Sequence, residues 1–397
     1  MNKPAIEGGN PVRQSFLIFG KPDIQQPEID EVVDTLKSGW LSTGPKVAKF
    51  EQKFASFKKI RHAVGLYSCT SALHLGLNSL GLQPGDEVIT TDFTFTASVS
   101  SIIHNGLVPV LVDVEPKTQN IDCTQIESKI TPRTKVILPV HMCGYPCAMD
   151  KIMDIAKRYN LYVIEDCAHA IETTYKGKPA GTFGDMGAFS FYVTKNICTG
   201  EGGMLIARHG QYADRVRMMA LHGMSKNAHD RFGNSGFKHY QVLEAGYKYN
   251  MTDITASMGI HQLKRIGVNW ERRENIWNRY IKELSGLPIY LPPKIPKDIK
   301  HGYHLFTIQL KLGQINVNRD YVLNALTKEG IGTGVHYIGI HTHPYYRQTF
   351  NLSAEEFPNA QWLTDRTISL PLSSALSDQD VTDVIEALHK ILEYYRK

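Results

Sequence analysis

An α/β fold, built on a mainly parallel sheet covered on both faces, is what this sequence predicts. Between residues 25 and 210, short β-branched runs alternate with helical patterns, and several runs are apolar throughout instead of alternating with polar residues. Strands buried on both faces read this way. The chain's 397 residues, 42% of them hydrophobic, supply enough core for more than one domain.

The elements follow in order. Ser71-Ala-Leu-His-Leu-Gly-Leu-Asn-Ser-Leu has helical spacing and stops at Gly81-Leu-Gln-Pro-Gly-Asp, a helix-ending composition. Strands are predicted at Glu87-Val-Ile-Thr-Thr, Val108-Pro-Val-Leu-Val-Asp-Val, Lys135-Val-Ile-Leu-Pro-Val, Leu161-Tyr-Val-Ile-Glu-Asp, Ala188-Phe-Ser-Phe-Tyr and Gly203-Met-Leu-Ile-Ala, with a helix over 148–158. Residues 210–245 carry Gly, Asn, His and Ser with weak periodicity and read as an extended loop. A long helix is predicted over 253–285, its mixed charges forming a solvated face. Pro292-Pro-Lys-Ile-Pro reads as a loop, followed by a strand at 304–310 and helices at 320–329 and 378–394. The expected division is a large α/β domain over 1–255 and a smaller α+β domain over 256–397.

Composition excludes several classes. The net charge of +5 is spread along the chain, so a nucleic-acid surface is not expected. Six cysteines at irregular spacings do not make a disulfide framework, and Cys143-Gly-Tyr-Pro-Cys147 has one residue too many for a CxxC hook. His341-Thr-His343 has no matched third ligand, so no metal site is expected. No GxGxxG opens a helix after a strand, which argues against a nicotinamide dehydrogenase. The first residues lack the apolar stretch of a signal peptide, and no run reaches the roughly 18 apolar residues of a membrane span. A cytoplasmic protein is expected.

The chemistry concentrates in Val163-Ile-Glu-Asp166-Cys-Ala-His169-Ala and in Gly184-Asp-Met-Gly-Ala-Phe-Ser190-Phe-Tyr-Val-Thr-Lys195. Asp166 ends a buried strand, where open α/β sheets place their ligands; its carboxylate either caps the next turn or faces a cation. Lys195 follows another apolar strand and precedes a Gly-rich turn. An isolated lysine is usually a solvated surface group, but the pairing with Asp166 alters that reading. A desolvated lysine can form a Schiff base, and pyridoxal 5′-phosphate (PLP) needs such a lysine plus a carboxylate that keeps its ring nitrogen protonated. Ser68-Cys-Thr70-Ser71 at a helix start, with Ser190, offers hydroxyls and N–H groups for a phosphate, although Ser and Thr there are also ordinary caps. Phe95 or Phe93 could face the ring or fill the core.

Gly-Trp-Leu-Ser-Thr-Gly-Pro-Lys (39–46), the Ser-x-Thr-Ser-Ala-Leu-His helix start, Thr-Phe-Thr-Ala (94–97), Glu-Asp-Cys-Ala-His-Ala, Phe-Ser-Phe-(x)₃-Lys and Thr-Gly-Glu-Gly-Gly keep order and spacing over nearly the whole chain. In this the sequence resembles the sugar aminotransferases of the DegT/DnrJ/StrS type. Gly246-Tyr-Lys-Tyr-Asn-Met-Thr-Asp-Ile and Gly330-Ile-Gly-Thr-Gly-Val-His336-Tyr look most like the branch containing UDP-4-amino-4-deoxy-L-arabinose aminotransferase. The resemblance implies the type I (aspartate aminotransferase-like) fold with a seven-stranded mixed sheet, PLP as cofactor, and a homodimer with shared active sites. It makes Lys195 the Schiff-base lysine and Asp166 the partner of the pyridine nitrogen. Thr70, Ser71 and Ser190 match the phosphate cup, Phe95 the stacking aromatic, and His169 stands where many members carry Gln. Asn250, with Lys248 as rival, is expected to reach the partner subunit's cofactor phosphate, and His336 matches a substrate-side histidine. The reaction so implied moves an amino group from L-glutamate, yielding 2-oxoglutarate, to a nucleotide-linked 4-keto sugar for surface polysaccharide such as lipopolysaccharide, with a UDP-sugar and carbon 4 favoured. Alternatives are amination at carbon 3, an amino-acid aminotransferase, or a sensing protein that keeps the fold. The family's 3-dehydratases carry His at the lysine position, whereas this chain has Lys195.

Overall fold

In the computed structural model, which describes residues 3–225 and 239–397, seven strands form the central sheet: β1 (His62–Leu66), β2 (Glu87–Thr91), β3 (Val108–Val112), β4 (Thr134–Ile137), β5 (Tyr162–Asp166), β6 (Met186–Ser190) and β7 (Gly203–Ala207). Their order is β1-β7-β6-β5-β4-β2-β3. Only β7 runs against its neighbours; the pairs from β6 to β3 are parallel. This is the mainly parallel sheet that the apolar runs predict, with the seven mixed strands that the resemblance implies. Asp166 sits beside Ala188 in the β5–β6 register, in the middle of the sheet.

Alternate side chains feed two cores. Val64, Leu66, Met186, Ala188 and Leu205 pack beneath α3 (Cys69–Asn78) on one face. Ala63, Phe189, Met204 and Ile206 join Phe50 and Phe54 of α2 (Pro45–Lys58) on the other. Phe50, Phe54, Phe189 and Phe191 are wholly buried, with ring centroids 5.0–6.2 Å apart. Each contributes about 2–3 kcal/mol by burial, so this cluster fixes the helix layer against the sheet beneath the strand that leads to Lys195. Gly203 starts β7 against the N-terminus of α3; a Cβ there would lie 2.3 Å from the Ser68 carbonyl carbon, so glycine sets how closely the helix start approaches the sheet.

A third core gathers the C-terminal half: the strands Ile289–Tyr290, Phe306–Leu310 and Thr367–Leu370 form an antiparallel sheet packed on the helices Ile266–Glu283 and Asp378–Tyr394. Leu17 belongs to this core, with Ile6 and Val12 against it, so the N-terminal segment crosses to the C-terminal unit. The domain cut expected after residue 255 falls within the helix Asp253–Lys264.

Two local readings are corrected. Residues 210–219 form a helix, not a loop, because Ala213, Val216 and Met219 recur every three residues and dock on the sheet core; only three apolar positions carry that pattern. Residues 226–238 of the expected loop lie outside the described residues. The helical stretch from Asp253 is two helices, Asp253–Lys264 and Ile266–Glu283, broken at Arg265. The Arg265 guanidinium there binds Asp23 and Glu28, tying the break to the N-terminal helix Gln26–Ser38. Among the described residues no helix is long and apolar enough to cross a membrane.

Candidate active site

The carboxyl ends of β5 and β6 open on a cavity of about 480 Å³. Asp166, Lys195, Thr70, Ser190, Phe95, His169 and His336 all line it. Asp166 is buried, its Oδ2 accepting from Ser98 Oγ at 2.8 Å and its Oδ1 from the Ala168 N–H at 3.0 Å. Burial pushes this carboxyl above its ordinary value, while those two donors and the Lys195 charge oppose the rise. Lys195 lies in the turn after β6, its N–H bonded to the Tyr192 carbonyl. Desolvation brings its amine down to about 8, opposed by the Asp166 charge. A lysine so shifted keeps a usable fraction of neutral amine near neutral pH.

The α3 N-terminus supplies the anion end. Ser68 caps it, and its side chain accepts from the Ser71 N–H at 3.1 Å. The Ser71 hydroxyl closes the capping box onto the Ser68 backbone and does not line the cavity, whereas Thr70 does. Positive dipole and N–H groups at such a terminus suit a phosphate.

The ring wall is built from distant segments. Phe95 is 55% exposed at the start of α4 (Thr96–His104), its ring 5.7 Å from Tyr337. His169 is buried; its Nδ1 accepts from the Cys143 N–H at 3.3 Å, so a neutral ring carries its proton on Nε2, facing the Tyr337 hydroxyl at 3.1 Å. His336 bonds Ser369 Oγ through Nδ1 at 2.9 Å and stacks on Phe19; burial and the Lys195 charge bring it down to about 4. Asn250 does not line the cavity of its own chain. It lies beside Leu66 at the end of β1, and its amide donates to Thr43 Oγ1 at 2.7 Å.

Several residues at the site were not predicted. Ser98, Tyr337 and His304 approach Asp166, His169 and Lys195 from 68 to 168 residues away. A usable signal existed for one of them, since His301-Gly-Tyr-His304 puts two histidines at the mouth of an apolar strand. Beneath the site, Glu165 is fully buried and braces the turn before β6. Its Oε1 accepts from the Phe183 and Gly184 N–H groups, and its Oε2 from the Gly181 N–H and His141 Nε2.

A sheet of this order, with a lysine of lowered basicity and a buried carboxylate on one cavity and a helix N-terminus at its edge, defines a PLP-dependent enzyme of the aspartate aminotransferase fold type. The donor set fits that cofactor: an amine for the aldehyde, an acid for the ring nitrogen, hydroxyl and N–H groups for the phosphate. The chain belongs to the DegT/DnrJ/EryC1/StrS aminotransferase family, which it matches over residues 22–389. It is 46% identical to the spore coat polysaccharide biosynthesis protein SpsC of Bacillus subtilis, covering 96% of this chain and 98% of that one. An uncharacterized protein of Methanocaldococcus jannaschii is also 46% identical, over 97% of this chain and all of its own length. Among solved structures, Spr1654 of Streptococcus pneumoniae, named as a sugar aminotransferase, superposes in its pyridoxamine phosphate (PMP) form with a TM-score of 0.89 at 33% identity, covering 95% of this chain and 99% of that one. The chain is therefore a PLP-dependent sugar aminotransferase.

Proposed function

We propose that this enzyme moves the amino group of L-glutamate to carbon 4 of a nucleotide-linked 4-keto sugar, a UDP-sugar by preference, in a cytoplasmic step towards surface polysaccharide. The observation that carries the reading is Lys195 and Asp166 buried on one cavity, the lysine amine lowered toward the neutral form that adds to an aldehyde and the carboxyl held by Ser98 and the Ala168 N–H. PLP, when bound, supplies an aldehyde for the amine and a ring that accepts electrons from the bond being broken. Asp166 would keep the ring nitrogen protonated, and Ser98 and the Ala168 N–H hold Asp166. With the cofactor bound, Lys195 Nζ would be the base that moves the proton at the donor's Cα. Thr70 and Ser190 would hold the phosphate, and Phe95, His169 and Tyr337 would line the space for the ring. His336 meets the sugar.

A homodimer with shared sites is part of the proposal, Asn250 reaching the partner's phosphate. The helix Gln26–Ser38 supports it by exposing Ile29, Val33 and Leu36 on one stripe, as do exposed Val242 and Leu243 near Asn250; apolar stripes of this kind mark association surfaces. The carbon-4 and UDP preferences rest on His169 and the Gly246–Ile254 and Gly330–Tyr337 motifs. Offering glutamate with UDP-, dTDP- and GDP-linked 4-keto sugars, and locating the new amine by NMR, tests the substrate. Amination of the UDP-sugar at carbon 4 is expected. A new amine at carbon 3, or turnover only with free 2-oxo acids, would replace this reading.

A further inference from the structure

Lys195 has a second neighbour besides Asp166. His304 Nε2 lies 3.4 Å from Lys195 Nζ, and the ring of His304 is buried, 4.4 Å from that of His169. The other ring nitrogen faces Asn196 Oδ1 at 3.0 Å. Which way the Asn196 amide points is decided by its far side: Nδ2 lies 2.8 Å from Glu172 Oε2 and 2.8 Å from the Gly302 carbonyl, both acceptors, so the NH₂ group belongs there and the oxygen faces His304. An amide oxygen only accepts. His304 Nδ1 therefore carries the proton, and Nε2 of the neutral ring presents a lone pair to Lys195.

The string continues inward. Glu172 Oε1 accepts from the guanidinium of Arg273, and both residues are buried. The ion pair fixes the carboxylate that fixes the amide. Burial and the nearby Lys195 charge hold His304 well below the ordinary histidine value, so it stays neutral.

We propose that His304 is a positioning residue for the Lys195 amine, locked in one tautomer by the buried string Asn196–Glu172–Arg273. A neutral amine has a single lone pair. When one of its N–H bonds is donated to His304 Nε2, rotation about the terminal C–N bond is restricted, and the lone pair is kept on the side away from His304. Asn196 acts only through His304. The inference rests on Lys195 being the reacting amine.

The test uses the full chain freed of cofactor, and follows how fast Lys195 captures added PLP by near-visible absorbance, with borohydride trapping to count linked cofactor. His304→Leu should slow capture by roughly threefold to tenfold, the effect of one lost hydrogen bond, while His304→Gln, whose carboxamide can accept from Lys195, should retain most of the rate. Asn196→Ala should slow capture when His304 is present and add nothing once His304 is Leu. If His304→Leu does not fold, Asn196→Ala and His304→Gln still decide. Capture at the native rate in Asn196→Ala or His304→Leu, or effects that multiply in the double variant, would overturn the proposal. Covalent capture surviving in Lys195→Ala would instead remove the assignment of Lys195 on which it stands.

Discussion

Replacing Glu165 by Gln tests how the site is held up from below. In the native chain the two carboxylate oxygens accept four hydrogen bonds at 2.7–2.9 Å. A Gln oxygen in the Oε1 position keeps the Phe183 and Gly184 N–H groups, but its NH₂ then faces the Gly181 N–H and His141 Nε2. His141 cannot switch roles, because its Nδ1 accepts from the Cys147 N–H at 3.0 Å and so Nε2 carries the proton. Two bonds to a charged acceptor are lost and donors are left facing donors, a cost of about 3–5 kcal/mol. With an unfolding entropy of ~2.1 cal/mol/K per residue over the full chain, each kcal/mol shifts the melting temperature by roughly 1.2 °C, so a drop of about 4–6 °C is expected. The pH dependence has a definite sign. Burial raises the Glu165 carboxyl, but His141 and the backbone donors outweigh it and leave the group below its ordinary value of 4.5. Its stabilisation is therefore fully present above about pH 4.5 and is lost as pH falls through the lower folded value. Melting curves of both proteins between pH 4 and 8 should show a gap that is constant near neutrality and narrows on acidification. A gap under 1 °C at pH 7, or one that widens in acid, would refute this account of Glu165.

The remaining predictions concern the cavity. The rate at which PLP adds to Lys195 should rise with pH to a midpoint near 8; at pH 7 this leaves about a tenth of the amine neutral, roughly 300-fold more than an ordinary lysine. A midpoint near the ordinary 10.5 would mean that Lys195 is solvated. Asp166→Asn should move that midpoint down, since the Asp166 charge favours the ammonium. Ser98→Ala removes a donor that holds Asp166 ionised, so the acid limb of the glutamate half-reaction should move up by about one pH unit; an unmoved limb would show that Ser98 does not tune the carboxyl.

The sheet was legible because parallel strands buried on both faces leave unbroken apolar runs, and Glu87–Thr91 or Tyr162–Asp166 can hardly be read otherwise. Strand His62–Leu66 was not legible, since Gly65 and flanking polar residues dilute so short a run. Helix Gly210–Met219 hides for the related reason that one narrow apolar stripe on a polar helix looks like loop composition. Asp166 stood out because it ends an apolar strand, and Lys195 because it closely follows another, where a charge is costly unless used. Ser98 and Tyr337 did not, because their meaning comes from chain crossings that place them against Asp166 and His169, and no local spacing records such a crossing. Ser71 shows the reverse case: the residue type suited a phosphate, but its hydroxyl is engaged in capping its own helix.

The most direct measurement is chemical mapping of the cofactor linkage. The purified protein, loaded with PLP and reduced with borohydride, should carry one phosphopyridoxyl group per chain, and peptide mass spectrometry should place it on the peptide containing Lys195. A label on any other lysine, or none despite bound cofactor, would contradict the central claim that Lys195 is the amine around which this site is built.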